Sequence, residues 1–258
     1  MLAIVLMSLR TILQRHPFPV VAWFERVVAI SFAFPEEVLR PLVPAALEID
    51  SYQGLGFVTV ALVWTKRLRP AGFPAILGQD FFLAGYRVFT RLRDDGRRLR
   101  GLYILRSETD KRPMVCVGNL FTRYAYRLVK VQVDGEASTH VETSLPNGER
   151  TLALSYATAD DSLALPPDSP FPDWHTARLF AGPMPFTFSA EGAHAFVVIE
   201  ASRQDWIPKP VTVVDWEVGL FNEKPFRGVK PILANAFSAK RIPYRWERGR
   251  IVQAGGEN

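Results

Sequence analysis

Cys116 is the only cysteine in the chain, so no internal disulfide can staple it, and a reducing, cytoplasmic setting is the expectation. Histidine is nearly as scarce. His16, His140, His175 and His194 stand apart, without the short spacings or cysteine partners of a zinc site, so no metal is expected. There is no Gly-x-Ser-x-Gly elbow and no phosphate-binding glycine loop, and Gly54-Leu55-Gly56 lacks the third glycine of a dinucleotide fingerprint. Ready-made hydrolase and nucleotide chemistry is absent, and no cofactor is expected. No apolar run reaches the roughly 20 residues that cross a bilayer. Met1 to Met7 is apolar, but it has no basic n-region and Arg10 and Arg15 break it, so residues 1–15 read as an N-terminal extension without a membrane span.

What is present is ordinary globular material, with 48% hydrophobic and 22% charged residues in a chain of 258. A single domain of that size buries about 70 to 75% of the surface its unfolded chain exposes, which supports a core without staples. The net charge of +5, with Arg91, Arg93, Arg97, Arg98 and Arg100 in one cluster and Lys240, Arg241, Arg245, Arg248 and Arg250 in another, raises nucleic acid as a partner. The first cluster flanks Asp94-Asp95-Gly96, however, and exposed charges belong at hairpin ends. With no zinc-finger, helix-turn-helix or RNA-recognition pattern beside it, nucleic acid is not expected. Homo-oligomerisation stays open.

Most segments alternate with period two, are rich in Val, Phe, Tyr and Thr, and stop at turn dipeptides. Strands are predicted near residues 20–34, 46–50, 56–66, 81–93, 98–108, 125–134, 136–145, 149–157, 193–201, 211–222 and 241–248. Asp94-Asp95-Gly96, Asp134-Gly135, Pro146-Asn147-Gly148 and Glu191-Gly192 mark turns between them. Helices are few: Pro35 to Val43, with Pro35 at its start and Pro44 as its stop, and Lys111 to Tyr124, entered from Thr109 and Asp110. Residues 160–185 hold Pro166, Pro167, Pro170, Pro172, Pro183 and Pro185 and read as a long loop that could lie over a site as a lid. So many hairpins with so few helices predict a mainly β domain over residues 16–250, a large curved antiparallel barrel with flanking helices and a cavity.

Strand parity singles out three arginines among apolar neighbours. Arg87 shares a face with Leu83, Gly85 and Phe89; Arg106 with Leu102 and Ile104; Arg127 with Ala125, Val129, Val131 and Val133. An inward guanidinium needs an anionic or carbonyl partner, because an unpaired buried charge costs several kcal/mol. Convergence of the three would make an anion site. The alternative is that parity fails at a bulge, or that each arginine pairs with an internal acid such as Glu108, Glu142 or Glu200.

Two blocks carry a family resemblance. Phe34-Pro35-Glu36-Glu37-Val38-Leu39-Arg40-Pro41-Leu42-Val43-Pro44, followed by Leu47-Glu48-Ile49-Asp50, resembles the opening helix and strand of the YqjF-like proteins of the acetoacetate decarboxylase superfamily. Gly101-Leu102-Tyr103-Ile104-Leu105-Arg106 and Gly118-Asn119-Leu120-Phe121-Thr122-Arg123-Tyr124-Ala125-Tyr126-Arg127 resemble their central strand, helix and following strand. The resemblance implies a cone-like β-barrel with a central cavity. In the decarboxylases the corresponding stretch ends in two lysines, the first forming a Schiff base and the second lowering its pKa. Aligned on Gly118 to Arg127, that motif puts Tyr126 at the first lysine and Arg127 at the second. A phenol cannot form an imine. Lys111 and Lys130 are the nearest lysines, but neither falls on the position. The resemblance therefore implies binding of a small anionic or carbonyl ligand by Arg87, Arg106, Tyr124, Tyr126 and Arg127 without the Schiff base. The alternative is an enzyme with Tyr126 as general acid or base, its pKa lowered by Arg127.

Overall fold

The computed structural model describes residues 9–135, 138–158, 165–182 and 184–254. The strands are β1 (Val20–Pro35), β2 (Glu48–Ile49), β3 (Leu55–Pro70), β4 (Gln79–Asp94), β5 (Arg97–Thr109), β6 (Tyr126–Leu128), β7 (Lys130–Asp134), β8 (Thr139–Ser144) and β9 (Arg150–Thr158). They continue with β10 (Phe186–Ala190), β11 (Ala195–Arg203), β12 (Lys209–Val218), β13 (Ile232–Trp246) and β14 (Arg250–Gln253). Short α-helices run over Glu36–Leu39, Arg112–Phe121 and Trp174–Phe180.

The pairings return on themselves. β11, β10, β5, β4, β3, β1 and β13 follow one another as neighbours, and β11 then pairs β13 through Ala201–Trp246, Ser202–Arg245 and Arg203–Tyr244, closing a strongly curved circuit. Only the β5–β10 contact in this circuit is parallel. β12, β9, β8 and β7 form a second antiparallel sheet, attached to the first where Lys209 and Pro210 meet Ser238 and Phe237.

Long strands with two buried faces result. On the outer face Val28, Ile30, Phe32, Val60 and Leu62 pack against Val141, Leu152 and Leu154 of the second sheet, forming the main core. On the inner face Val27, Ala29, Ala61, Val63, Leu83 and Ala239 form another cluster. Three of those six are alanines, and small inward side chains leave room inside a ring.

Hairpins follow the turn chemistry. Asp95 and Gly96 have φ of 45° and 74° between β4 and β5, as a type I′ turn requires. Gly135 and Gly148, both at positive φ, sit in the β7–β8 and β8–β9 turns.

Three expectations need correction. The strand expected over 125–134 is two strands in different sheets: β6 runs parallel to β5, whereas β7 pairs β8. The strand expected at 241–248 begins at Ile232, and pairing with β1 along its length overrides the weak strand propensity of Ala234, Asn235, Ala236 and Ala239. Within the proline-rich segment a helix, Trp174–Phe180, starts at Asp173, whose carboxylate accepts from the Thr176 amide at 2.7 Å. Residues 159–164 and 183 of that segment lie outside the described residues.

Candidate functional site

The ring encloses a cavity of about 100 Å3, well above the roughly 10–15 Å3 that admits one water. Its wall draws on β1, β3, β4, β5, β10 and β13, and on Ala181, Gly182 and Met184 after the helix Trp174–Phe180. That helix is tied to the ring: Arg100 Nη2 donates to the Phe180 carbonyl at 2.6 Å, and Phe171 stacks on Phe57. From the described part of the expected lid, Ala181, Gly182 and Met184 are thus part of the wall.

Arg87 is the charged residue of this wall. It projects from β4 beside Gly85, where a Cβ would come within 2.8 Å of Nη2, so the bare glycine makes space for the guanidinium. Its Nε is buried with no hydrogen-bond partner, and no carboxylate pairs with it among the described residues. Trp206 repeats the pattern, its Nε1 buried, unpartnered and in the same wall.

Phenols complete the site. Tyr124 and Tyr126 stand two residues apart on one side of the chain, ring centroids 6.2 Å apart, and Tyr124 shares a 2.7 Å hydrogen bond with Thr187. Tyr126 is clamped by Asn119, whose Oδ1 accepts from the Tyr126 amide and whose Nδ2 donates to its carbonyl, both at 2.8 Å. Its ring lies over Gly118, where a Cβ would come within 2.5 Å of it. Burial pushes the Tyr124 phenol up to about 12. Burial also pushes Tyr126 well up, neighbouring Tyr124 adds to the rise, and Arg87 opposes it. Tyr244 rises through burial, against Arg203 and Arg87. All three phenols therefore stay protonated at neutral pH and can donate. The lowered Tyr126 pKa expected from Arg127 is overturned in direction, and the cation facing Tyr126 is Arg87.

The structure brings Arg87, Tyr124 and Tyr126 together and separates them from Arg106 and Arg127. Arg87 pairs across to Ile104 while Tyr86 pairs to Arg106, so Leu105 is an extra residue. Leu102, Ile104 and then Ser107 face the cavity, and the bulge turns Arg106 outward, where it holds Glu223 through two 2.9 Å hydrogen bonds. Arg127 follows Tyr126 in a strand and must point the other way. Its Nε donates to Glu108 Oε1 at 3.0 Å. Glu108 is fully buried, and its other oxygen accepts from the Tyr86 hydroxyl at 3.1 Å and Thr151 at 3.0 Å.

Trp206, Tyr244, Thr187, Thr59 and Ser107 of the wall were not foreseen. Tyr244 could have been found, since it alternates with Ile242 and Trp246 at period two. Trp206 lies in the irregular stretch after β11, where parity says nothing.

The charged arginine cluster at the β4–β5 hairpin is largely paired: Arg91 and Arg100 hold the buried Asp50, and Arg93 meets Glu48 at 2.8 Å. Among the described residues no three ligand-type side chains group to hold a metal, and no lysine lines the cavity. No helix is long and apolar enough to cross a membrane among the described residues.

A curved β ring joined to a second sheet, with a largely apolar cavity that holds one arginine and a few hydroxyl groups, defines an acetoacetate decarboxylase-like fold. The chain belongs to the DUF2071 family of uncharacterized conserved proteins, the YqjF-like group, whose model matches residues 22–250. Solved structures agree on the fold. An acetoacetate decarboxylase from Legionella pneumophila is similar at 10% identity and a TM-score of 0.63, over 92% of this chain and 88% of that one. An acetoacetate decarboxylase-like enzyme from Sphingomonas wittichii RW1 is 12% identical, with a TM-score of 0.58 over 92% and 94%. The enduracididine biosynthesis enzyme MppR, solved with pyruvate, is 13% identical, with a TM-score of 0.57 over 92% and 91%. No curated protein matches the chain.

Proposed function

We propose that the ring cavity binds a small anionic or carbonyl-containing molecule through Arg87, with Trp206, Tyr124 and Tyr126 as neutral donors, and without an imine. The observation that carries this reading is the buried, unpartnered Nε of Arg87 facing a cavity whose wall, among the described residues, holds no carboxylate. A buried guanidinium left without an anion costs several kcal/mol, and a ligand that supplies the anion recovers that cost. Arg106 and Arg127 have no part in the binding, because Glu223 and Glu108 already neutralise them. Tyr126 stands where the decarboxylases carry their nucleophilic lysine, and its raised pKa suits a hydrogen-bond donor or a general acid rather than a base. The lone thiol of Cys116 supports a reducing, cytoplasmic setting.

Pyruvate, bound by the structural relative MppR, is a suitable probe. Calorimetric titration with pyruvate should give saturable binding that Arg87→Met weakens roughly ten- to a hundredfold, the worth of one charge-assisted fork. Equal affinity of the two proteins would remove the basis of the reading. Borohydride added with pyruvate or acetoacetate should leave no lysine adduct in the mass spectrum, and a stable adduct would reinstate imine chemistry.

A further inference from the structure

The Arg87 cavity has a neighbour. A second cavity of about 200 Å3 adjoins it, and Phe24, Leu83, Tyr124, Tyr126 and Trp246 line both. The rest of the second wall comes mainly from the segment leading into β1, the end of β3, the start of β4 with Leu77 between them, and the helix Arg112–Phe121. Its chemistry is different: Leu68, Phe81, Met114, Val117 and Phe121 make it apolar, and no carboxylate lines it among the described residues. Its one guanidinium, Arg69, is engaged with the carbonyls of Phe73 and Arg67 at 2.9 Å each.

The apolar character reaches solvent. Leu77 and Val117 line this cavity while 63% and 42% exposed. Beside Leu77 on the same turn, Phe73 and Ile76 are 55% and 91% exposed. Exposed apolar side chains grouped at the edge of a pocket mark a place where apolar surface is received. Apart from His16 Nε2 and Thr65 Oγ1, which are buried in this wall without partners, water in such a chamber finds few of the polar groups that hold it in place. A small anion alone would also leave this chamber, the larger of the two, unused.

We infer that the ligand is amphipathic, an aliphatic carboxylate of medium chain length whose head meets Arg87 and whose tail passes Tyr124 and Tyr126 into the apolar chamber, toward the edge formed by Leu77 and Val117. This rests on the anion reading of the Arg87 cavity and adds the substrate class to it. The two tyrosines are the boundary: their hydroxyls serve the polar side and their rings the apolar side.

The test is a calorimetric series of straight-chain carboxylates from propanoate to decanoate, titrated into the full chain as wild type, Arg87→Met, Leu77→Asp and Val117→Trp. Affinity should tighten roughly three- to fourfold per added methylene until the chamber is full. Arg87→Met should weaken every member ten- to a hundredfold. Leu77→Asp should weaken octanoate at least tenfold and propanoate less than twofold, and Val117→Trp should shorten the chain length at which affinity stops rising. Leu77 and Val117 are exposed, so neither change should threaten folding. Arg87-dependent affinity that ignores chain length would overturn the amphipathic ligand and leave the anion site standing. No binding at any length would overturn both. Long-chain binding that survives Arg87→Met would place the head elsewhere and overturn the inference.

Discussion

Two half-buried arginines, one on each side of the ring wall, meet opposite fates. Arg127 donates to Glu108, a carboxylate with no exposed surface that also takes hydrogen bonds from Tyr86, Thr143 and Thr151. Glu108 stands on β5 while Thr143 and Thr151 stand on β8 and β9, so this cluster fastens the ring to the second sheet. Arg87 faces the ring interior, where Thr59, Ser107, Thr187 and three phenols surround it and, among the described residues, no acid does. A buried charge whose partner is built in belongs to the fold. One whose partner is missing, facing a cavity, is the one we assign to a ligand.

The largest effect that would break this comparison falls on the satisfied side. Arg127→Met leaves Glu108 buried without its cation and should destabilise the protein by about 3 kcal/mol in urea unfolding. Adding Glu108→Gln should restore much of that loss, because removing both charges removes the unpaired one. A single variant as stable as wild type would mean that Glu108 is not held as an anion by Arg127.

His16 sharpens the comparison with a buried group that has neither partner nor charge. Its Nε2 is buried without a hydrogen bond, and burial lowers its pKa from 6.5 to about 4. A lowered histidine pKa means that the unfolded chain takes up a proton which the folded one refuses. Stability should therefore fall by up to about 3 kcal/mol as pH drops from 6.5 toward 4. His16→Phe should remove that part of the acid sensitivity, measured as urea midpoints from pH 7 to 4. An unchanged slope would place the acid sensitivity in other groups.

The smallest effect belongs to Arg106, whose acid partner is half exposed. Glu223 is 49% exposed in its pair with Arg106, and Arg106→Gln should cost less than about 1 kcal/mol and leave ligand affinity unchanged. A tenfold loss of pyruvate affinity would return Arg106 to the site.

Legibility in the sequence followed the same division. Hairpins announced by Asp94-Asp95-Gly96 or Asn147-Gly148 were readable because positive φ demands those residue types. The inward position of Arg87 was readable because parity runs unbroken from Leu83 to Phe89 along β4. Arg106 was misread because nothing local announces the extra residue at Leu105. Assigning both Tyr126 and Arg127 to one cavity neglected the alternation itself: adjacent strand residues face opposite ways, and only one of the two could point inward. The family motif pointed to this strand but could not say which of its two residues faces the cavity.

The most direct measurement sets the two arginines side by side, with pyruvate affinity by calorimetry and urea stability determined for wild type, Arg87→Met and Arg127→Met. Arg87→Met should lose ten- to a hundredfold in affinity while keeping or gaining stability, since it removes an unpaired buried charge. Arg127→Met should lose stability and, where folded, bind as wild type does. The reverse pattern, with affinity lost in Arg127→Met and kept in Arg87→Met, would contradict the assignment of the cavity to the unpaired arginine.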